Sequence, residues 1–307
     1  YGTILGSAVN PVLREGNSDR RAPKAVKEFA KKNPHSMGVW KSNSKTHVST
    51  MSSGDFCSNE KSLTVSSASV GNARIEFVDT NGSSTILKAN HLIEDGDIID
   101  ATMMSAKTLR SFFDSEIRDA KEQGILFSLH VKATMMKISD PIIFGHAVSA
   151  YFSDVFEKHE KIFAKLSVDP DLGIGDLLNK IRTLPTEQRL AIEADIEKCI
   201  REQPDLYMVN SDRGISNLHV SSDVIIDASL PALIRAGGKA WGADGKENDT
   251  KCVIPDSSYA GIYSETINFC KKYGAFKPSE MGSVSNVGLM ARKTEEYGSH
   301  PQTFKVP

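Results

Sequence analysis

Hydrophobic residues in the first third of the chain alternate with polar residues at a spacing of two. This alternation predicts β-strands over residues 63–69 and 74–79. The Asn81-Gly82 pair that follows tolerates the positive φ angles of a tight turn, so the chain is expected to return as a hairpin strand over 85–87. The first part of the chain therefore contains an antiparallel unit.

From residue 97 onwards, predicted strands and helices alternate. Residues 97–104 and 125–136 are expected to be strands, a helix is predicted over 106–122, and a second helix begins with Asp140 as its N-cap. Such alternation is typical of a sheet covered by crossover helices. The sequence therefore predicts an α/β to α+β fold with a mixed sheet and flanking helices, in which both strands belong to one sheet.

The second half of the chain is mainly helical in its periodicity. Helices are predicted over 177–183, 186–202, 259–273 and 286–297, with a short strand over 207–209. A separate apolar run, 224–226, ends in Asp227. An acidic residue in this place can face a crevice and bind a hard cation such as Mg²⁺ or Mn²⁺, or it can be a helix N-cap.

Residues 1–21 have no periodic pattern and are expected to form a loop before a helix over 24–32. The stretch 6–21 carries hydroxyl, amide and guanidinium groups interrupted by glycine and proline. Arginine binds carboxylates and phosphates in a bidentate manner, and glycine lets backbone amides approach the same anion. The loop therefore predicts a pocket for a small polyanion. The alternative is a solvated loop in which Glu15 and Asp19 neutralise two arginines.

Lys132 is a second candidate for chemistry, because it lies with His130 on a predicted strand among apolar neighbours. Burial lowers the pKa of a lysine toward the range of a general base. The alternative is an exposed lysine on an edge strand. The sequence has neither of the two common glycine-rich nucleotide fingerprints, and its eight histidines include no i,i+4 pair of the kind that binds zinc on a helix.

Composition narrows the class of protein further. The 307 residues carry 37 Lys+Arg and 39 Asp+Glu, a formal net charge of −2, so no bulk positive charge indicates binding to nucleic acid or to an anionic membrane. The longest apolar stretch, 141–152, is shorter than the ~20 residues of a membrane-spanning helix. Four scattered cysteines without a C-x-x-C pair fit a reducing cytoplasm. Because the chain starts at Tyr1 and not at an initiator Met, we expect it to be part of a longer protein.

Several segments together resemble the monomeric NADP-dependent isocitrate dehydrogenase family. They are GSAVNPVLREGNSDRRAP at 6–23, NPHSMGVW at 33–40, KATMMKISDPIIFGH at 132–146, DASLPALIRAGG at 227–238 and PDSSYAGIY at 255–263. The resemblance runs through essentially the whole chain, and the first segment is long enough to be highly specific. It implies a bacterial, cytoplasmic, monomeric enzyme that is longer than this chain.

The resemblance also implies a fold and a domain organisation. The expected fold is the incomplete central domain of an isocitrate/isopropylmalate dehydrogenase-like protein. Residues 1–21 would be a substrate-binding loop at the domain junction, and residues 22–307 would be the central α/β domain, with the first copy of a duplicated unit and part of a second.

The implied activity is the oxidation of isocitrate by NADP⁺ with loss of CO₂ to give 2-oxoglutarate, assisted by Mg²⁺ or Mn²⁺. Lys132 is similar to the catalytic lysine that helps to deprotonate the C2 hydroxyl, and Tyr297 to the tyrosine that delivers a proton to C3. Asp227 is similar to one metal ligand. The positions that match the family's substrate-binding residues are Ser7, Asn10, Arg14 and Arg20.

In the family, the other metal ligands and most of the NADP pocket lie beyond the C-terminal end of the matching segment, so no NADP-binding residue is assigned here. We therefore expect this chain alone not to turn over isocitrate. The expected partner is the small-molecule substrate isocitrate, with no nucleic acid and no membrane. The alternative function is a non-catalytic module that binds a tricarboxylate or phosphate polyanion through the arginine loop.

Overall fold

The computed structural model describes residues 29, 32–33, 37–131 and 139–277. These residues form two compact units, one built on Thr64–Asp97 and a larger one built on residues 37–63 and Ile98–Ala275. The predicted loop over 1–21 lies outside the described residues, and so does the predicted helix over 286–297. The domain boundary after residue 21 therefore stays a prediction.

The described strands and helices are named here in chain order. The strands are β1 (His47–Ser49), β2 (Lys61–Thr64), β3 (Gly71–Val78), β4 (Ser84–Ile93), β5 (Ile98–Ala101), β6 (Leu126–Leu129), β7 (Met208–Asn210), β8 (Ile215–Ser216), β9 (Lys239–Trp241) and β10 (Glu247–Val253). The helices are α1 (Phe56–Asn59), α2 (Ala106–Gln123), α3 (Ser139–Tyr151), α4 (Ser153–Lys158), α5 (Glu160–Lys165), α6 (Ile174–Ile181), α7 (Thr186–Glu202), α8 (Ile226–Arg235) and α9 (Ala260–Tyr273).

A mixed sheet of β1, β10, β6 and β9 is the centre of the larger unit. β10 pairs in parallel with β1, in the register His47 to Lys251, and in parallel with β6, in the register Thr250 to Leu126. β9 pairs antiparallel with β10. Helix α2 packs against α3 and β6, and α9 packs against β1. This arrangement confirms the predicted α/β fold with a mixed sheet and flanking helices.

The core lies between β6 and the helices that cover it. All residues of β6 are buried, as expected of a parallel strand that is covered on both faces. One stripe of α2 at helical spacing is buried, and its members are Leu109, Phe113, Ile117 and Ala120. The Ser105 hydroxyl accepts a hydrogen bond from the Thr108 amide at 3.3 Å, which caps the start of α2. Gly124, with a φ of 63°, ends the helix.

The smaller unit contains the predicted hairpin. β3 and β4 pair antiparallel from Gly71 and Ile93 to Val78 and Ser84. In the turn, Asp79 Oδ1 accepts hydrogen bonds from the amides of Asn81 at 2.8 Å and Ser83 at 2.9 Å. The hairpin is confirmed, and its second strand is longer than the alternation predicts.

Two expectations are wrong, one about which strands share a sheet and one about the N-cap of a helix. β5 pairs with β2 in a two-stranded sheet, whereas β6 pairs with β10, so the strands predicted over 97–104 and 125–136 do not share a sheet. The chain returns beside its own starting point after the hairpin, and the Val65 amide donates to the Asp97 carbonyl at 2.8 Å. Helix α3 begins at Ser139, so Asp140 lies buried in its first turn and is not its N-cap.

The described residues include all four cysteines. In residues 37–131 and 139–277, no helix is long and apolar enough to cross a membrane. Cys57 is exposed, whereas Cys199, Cys252 and Cys270 are buried, and all four thiols are free.

Candidate active site

The carboxyl end of strand β6 is hydrogen-bonded to the start of helix α8. The Val131 amide donates to the Val224 carbonyl, and the Ile226 amide donates to the Val131 carbonyl, both at 2.9 Å. Val131 directly precedes Lys132 in the chain, and Ile226 directly precedes Asp227. Ligands of α/β proteins bind at the carboxyl ends of parallel strands. This junction is therefore the candidate site that the described residues offer.

Asp227 lies exposed in the first turn of α8. The N-cap of this helix is Ile225, whose side chain makes no capping bond, so the N-cap alternative for Asp227 is wrong. The positive end of the helix dipole favours a carboxylate in this turn. Burial raises the pKa of Tyr263, and the negative charge of Asp227 raises it further, so α9 presents this phenol to the same region.

His130 ties the end of β6 to the first turn of α8 from inside the protein. Its side chain is fully buried. Nδ1 lies 2.6 Å from the Ser229 hydroxyl of α8, and Nε2 lies 2.8 Å from the Ser128 hydroxyl of β6. Burial lowers the pKa of His130 to about 3, so the imidazole is neutral at physiological pH.

Asn217 extends this buried group. Its Nδ2 donates to the Ser128 hydroxyl and to the Leu129 carbonyl, each at 3.1 Å. The Ser229 hydroxyl, at the other end, donates to the Ile225 carbonyl at 2.9 Å. None of these residues is predicted as functional from the sequence, although Ser128 and His130 interrupt a stretch of apolar residues and were a visible signal.

The end of α8 is fixed by a second segment of the sequence. Trp40 Nε1 donates to the Ile234 carbonyl at 2.9 Å, and the Gly38 amide donates to the Arg235 carbonyl at 2.6 Å. A Cβ at Gly38 would lie 2.5 Å from the Ala236 carbonyl carbon, so this close approach requires glycine. Residues 37–40, which end one of the segments that carry the family resemblance, therefore pack against another such segment, 227–238.

A buried carboxylate fixes the segment that leads into α9. Asp55 accepts hydrogen bonds from the Ser257 amide at 2.7 Å, the Ser257 hydroxyl at 2.5 Å and the Ser58 amide at 3.1 Å. Burial by itself would raise the pKa of Asp55, but the hydrogen bonds from Ser257 and Ser58 outweigh it and lower the pKa. This contact sets the start of the helix that carries Tyr263.

Most of the residues predicted from the sequence are not placed here. Of the candidate site residues, the structure describes Asp227, and the others lie outside the described residues: Ser7, Asn10, Arg14, Arg20, Lys132 and Tyr297. Within the ranges 37–131 and 139–277, no group of three or more His, Cys, Asp or Glu residues could hold a metal ion. Asp227 fits as one oxygen ligand of a hard cation, because its carboxylate is exposed at the junction.

The fold and the junction define an α/β protein whose polar site lies where a parallel strand ends and a helix begins. A family model described as monomeric isocitrate dehydrogenase matches residues 1–307. The chain belongs to this family, which confirms the resemblance seen in its segments.

Curated relatives agree with the family assignment. The chain is 57% identical over 306 residues to isocitrate dehydrogenase (NADP) 2 of Colwellia maris. It is 55% identical over 307 residues to isocitrate dehydrogenase (NADP) of Azotobacter vinelandii, and 55% identical over 307 residues to isocitrate dehydrogenase (NADP) 2 of Mycobacterium tuberculosis. Each match covers 100% of this chain and 41% of the relative, so the chain spans about 41% of the length of these relatives.

Proposed function

We propose that this chain is the substrate-binding and catalytic portion of an NADP-dependent isocitrate dehydrogenase, which converts isocitrate to 2-oxoglutarate and CO₂. The observation that carries the proposal is the backbone pairing of Val131 with Val224 and Ile226. It joins the segment that leads into Lys132 to the turn that carries Asp227. The relatives' names suggest the reaction, and the junction supports the proposal because Asp227 lies at it and Val131 directly precedes Lys132.

The proposed site residues have separate roles that follow from the chemistry of their side chains. Arg14 and Arg20, with Ser7 and Asn10, hold the carboxylates and hydroxyl of the substrate, because guanidinium groups bind carboxylates in a bidentate manner. This pairing would hold the substrate by its carboxylates and orient it for reaction.

Lys132 and Tyr297 divide proton removal and proton return. Lys132 Nζ takes the proton from the C2 hydroxyl, and the Tyr297 hydroxyl delivers a proton to C3 after CO₂ has left. A nearby positive charge would lower the pKa values of the Lys132 ammonium and the Tyr297 hydroxyl toward the range that proton transfer needs.

Asp227 would act as one ligand of Mg²⁺ or Mn²⁺. When bound, the cation would supply a Lewis acid at the substrate oxygens, and NADP⁺ would supply the hydride acceptor. A single carboxylate is a weak site for Mg²⁺, which requires near-octahedral oxygen coordination. Further ligands and the NADP pocket would come from the region that the relatives carry outside the matched 41%, so the 307-residue chain alone is proposed not to turn over isocitrate.

The test is NADPH formation by the complete enzyme that carries this segment. Arg14→Ala should cost about 2–4 kcal/mol in kcat/KM, because it leaves a desolvated carboxylate unpaired. Lys132→Met should lower kcat and leave the KM for isocitrate nearly unchanged. Arg201→Ala is the matched control, because the Arg201 side chain is 68% exposed.

Two results would contradict the proposal. One is a loss in Arg14→Ala no larger than that in Arg201→Ala. The other is an enzyme that forms no NADPH but binds phosphate and tricarboxylates without Mn²⁺ in calorimetry, which is the behaviour of a non-catalytic polyanion-binding module.

A further inference from the structure

We propose that His130 is a positioning residue, held as the neutral Nδ1–H tautomer, which sets the first turn of α8 against the strand end that leads into Lys132. The inference rests on the proposed function, because it concerns the position of Asp227 relative to the strand end that directly precedes Lys132. The directions of the hydrogen bonds around His130 follow from the number of protons that each partner can donate.

The series of hydrogen bonds that runs through His130 ends on one side at the Leu129 carbonyl. The Leu129 carbonyl can only accept, so the nitrogen of the Asn217 amide faces it, and this Nδ2 also donates to Ser128 Oγ. A hydroxyl has one proton. Since Ser128 Oγ already accepts from Asn217, its proton is available for His130 Nε2, 2.8 Å away. From this end, Nε2 is the acceptor nitrogen.

The other end also starts at a carbonyl and gives the same answer. The Ile225 carbonyl takes the single proton of Ser229 Oγ at 2.9 Å. Ser229 Oγ must then accept from His130 Nδ1, 2.6 Å away, so Nδ1 carries the hydrogen. The Ser229 end requires the Nδ1–H tautomer, and the Ser128 end is compatible with it.

Protonation of the ring would break this pattern. An imidazolium would direct a second N–H at Ser128 Oγ, which already accepts from Asn217 and would have to turn its own proton elsewhere. The ring is fully buried, and an isolated charge there is costly. His130 is therefore a fixed link and not a proton shuttle.

The bond from His130 to Ser229 is the one that matters for function. It crosses from β6 to α8, whereas the bond to Ser128 stays within the strand. Ser229 lies two residues after Asp227, and His130 lies two residues before Lys132. Loss of this bond should therefore shift the first turn of α8, which carries Asp227, relative to the end of β6, and it should affect kcat more than KM.

Two near-isosteric variants test the contacts of His130 with Ser229 and with Ser128 one at a time. In His130→Asn the side-chain amide nitrogen can take the place of Nδ1 and keep the donor to Ser229. In His130→Gln the longer side chain reaches the place of Nε2 and keeps the contact with Ser128. In the complete enzyme we expect His130→Asn to keep kcat close to wild type, and His130→Gln to lose about 10- to 100-fold with little change in KM.

Two further measurements keep the inference testable. Urea unfolding of the 307-residue variants shows whether a loss of kcat merely follows a loss of stability. In the unsubstituted chain, ¹⁵N spectra of labelled histidine should show a protonated Nδ1 and an unprotonated Nε2 for His130 from about pH 5 to 8. This last measurement needs neither activity nor a variant.

The inference is overturned by equal kcat values in the Asn and Gln variants, by losses that simply follow stability, or by spectra of an Nε2–H or charged ring. Absence of isocitrate turnover in the unsubstituted complete enzyme, with the expected spectra, would instead refute the proposed function and leave the tautomer assignment intact.

Discussion

The buried carboxylate of Asp55 joins two segments that are 202 residues apart in the chain. Asp55 is fully buried, and its oxygens accept from the Ser58 amide and from both donors of Ser257. The same carboxylate is the N-cap of helix α1. Asp55→Ala removes all of these acceptors at once, so it tests how much one buried side chain contributes to the larger unit.

The expected cost follows from the groups that lose a partner. Loss of a helix cap costs about 0.5–2 kcal/mol. A buried donor without an acceptor costs about 1–3 kcal/mol, but the donors of Ser257 are only partly buried and water can reach them in the cavity. We therefore expect Asp55→Ala to lower the free energy of unfolding by about 2–4 kcal/mol.

The assay is urea unfolding of the 307-residue chain, followed by tryptophan fluorescence, to which the buried Trp40 and the exposed Trp241 both contribute. Asp256→Ala is the matched control, because Asp256 also caps a short helical turn, with its carboxylate accepting from the Ser258 amide at 3.2 Å and the Ser258 hydroxyl at 2.8 Å. That contact is local and exposed, so its loss should cost less than about 1 kcal/mol. Equal losses in the two variants would refute the reasoning.

The pH dependence gives an independent check on the same carboxylate. Its pKa in the folded protein lies below the ordinary value of about 4, since hydrogen bonds outweigh burial. A lowered pKa stabilises the fold fully above the unfolded value, and the contribution is lost as the pH falls through the folded value. The stability advantage of the wild type over Asp55→Asn should therefore be constant near neutrality and shrink below about pH 4.

Two further predictions concern packing and thiol reactivity. Gly38→Ala should destabilise the chain by about 1–3 kcal/mol in the same urea assay, because the added Cβ meets the Ala236 backbone at 2.5 Å. Gly261→Ala, on an exposed part of α9 with nothing within 4 Å, should be neutral or stabilising, and equal losses would contradict this. With Ellman's reagent, about one thiol, Cys57, should react before unfolding. Cys252 should react only on unfolding, because burial raises its pKa to about 12, and its rapid reaction in native protein would contradict the structure.

The elements that sequence reasoning predicts well are those whose signals are local. Helix α7 spans Thr186–Glu202, as its periodicity and the preceding proline indicate, and α2 differs from the prediction by one residue. Both have an apolar stripe and recognisable ends, and these depend on neighbouring residues alone. The hairpin turn at Gly82 is predictable for the same reason.

Which strands share a sheet is harder to predict from the sequence, because paired strands can be far apart along the chain. The expectation that β5 and β6 share a sheet assumes that successive strands are neighbours, which is only a tendency. The run 224–226 is predicted only as an apolar segment that ends in Asp227, and α8 spans Ile226–Arg235 with Pro231 inside it. Its ends are held by tertiary contacts, from Val131 at the start and Trp40 at the end.

The polar group around His130 shows which part of a site a single sequence can reveal. The bond between His130 and Ser229 spans 99 residues, and the bond from Asn217 to Ser128 spans 89. No short window along the sequence therefore contains both partners of either bond. A strand buried on both faces is expected to be nearly all apolar, and polar atoms there are costly unless they are hydrogen-bonded. Ser128 and His130 in strand β6 and its continuation therefore indicate a polar partner somewhere in the fold. The identity of that partner, and the position of α8 that it fixes, follow only from the folded structure.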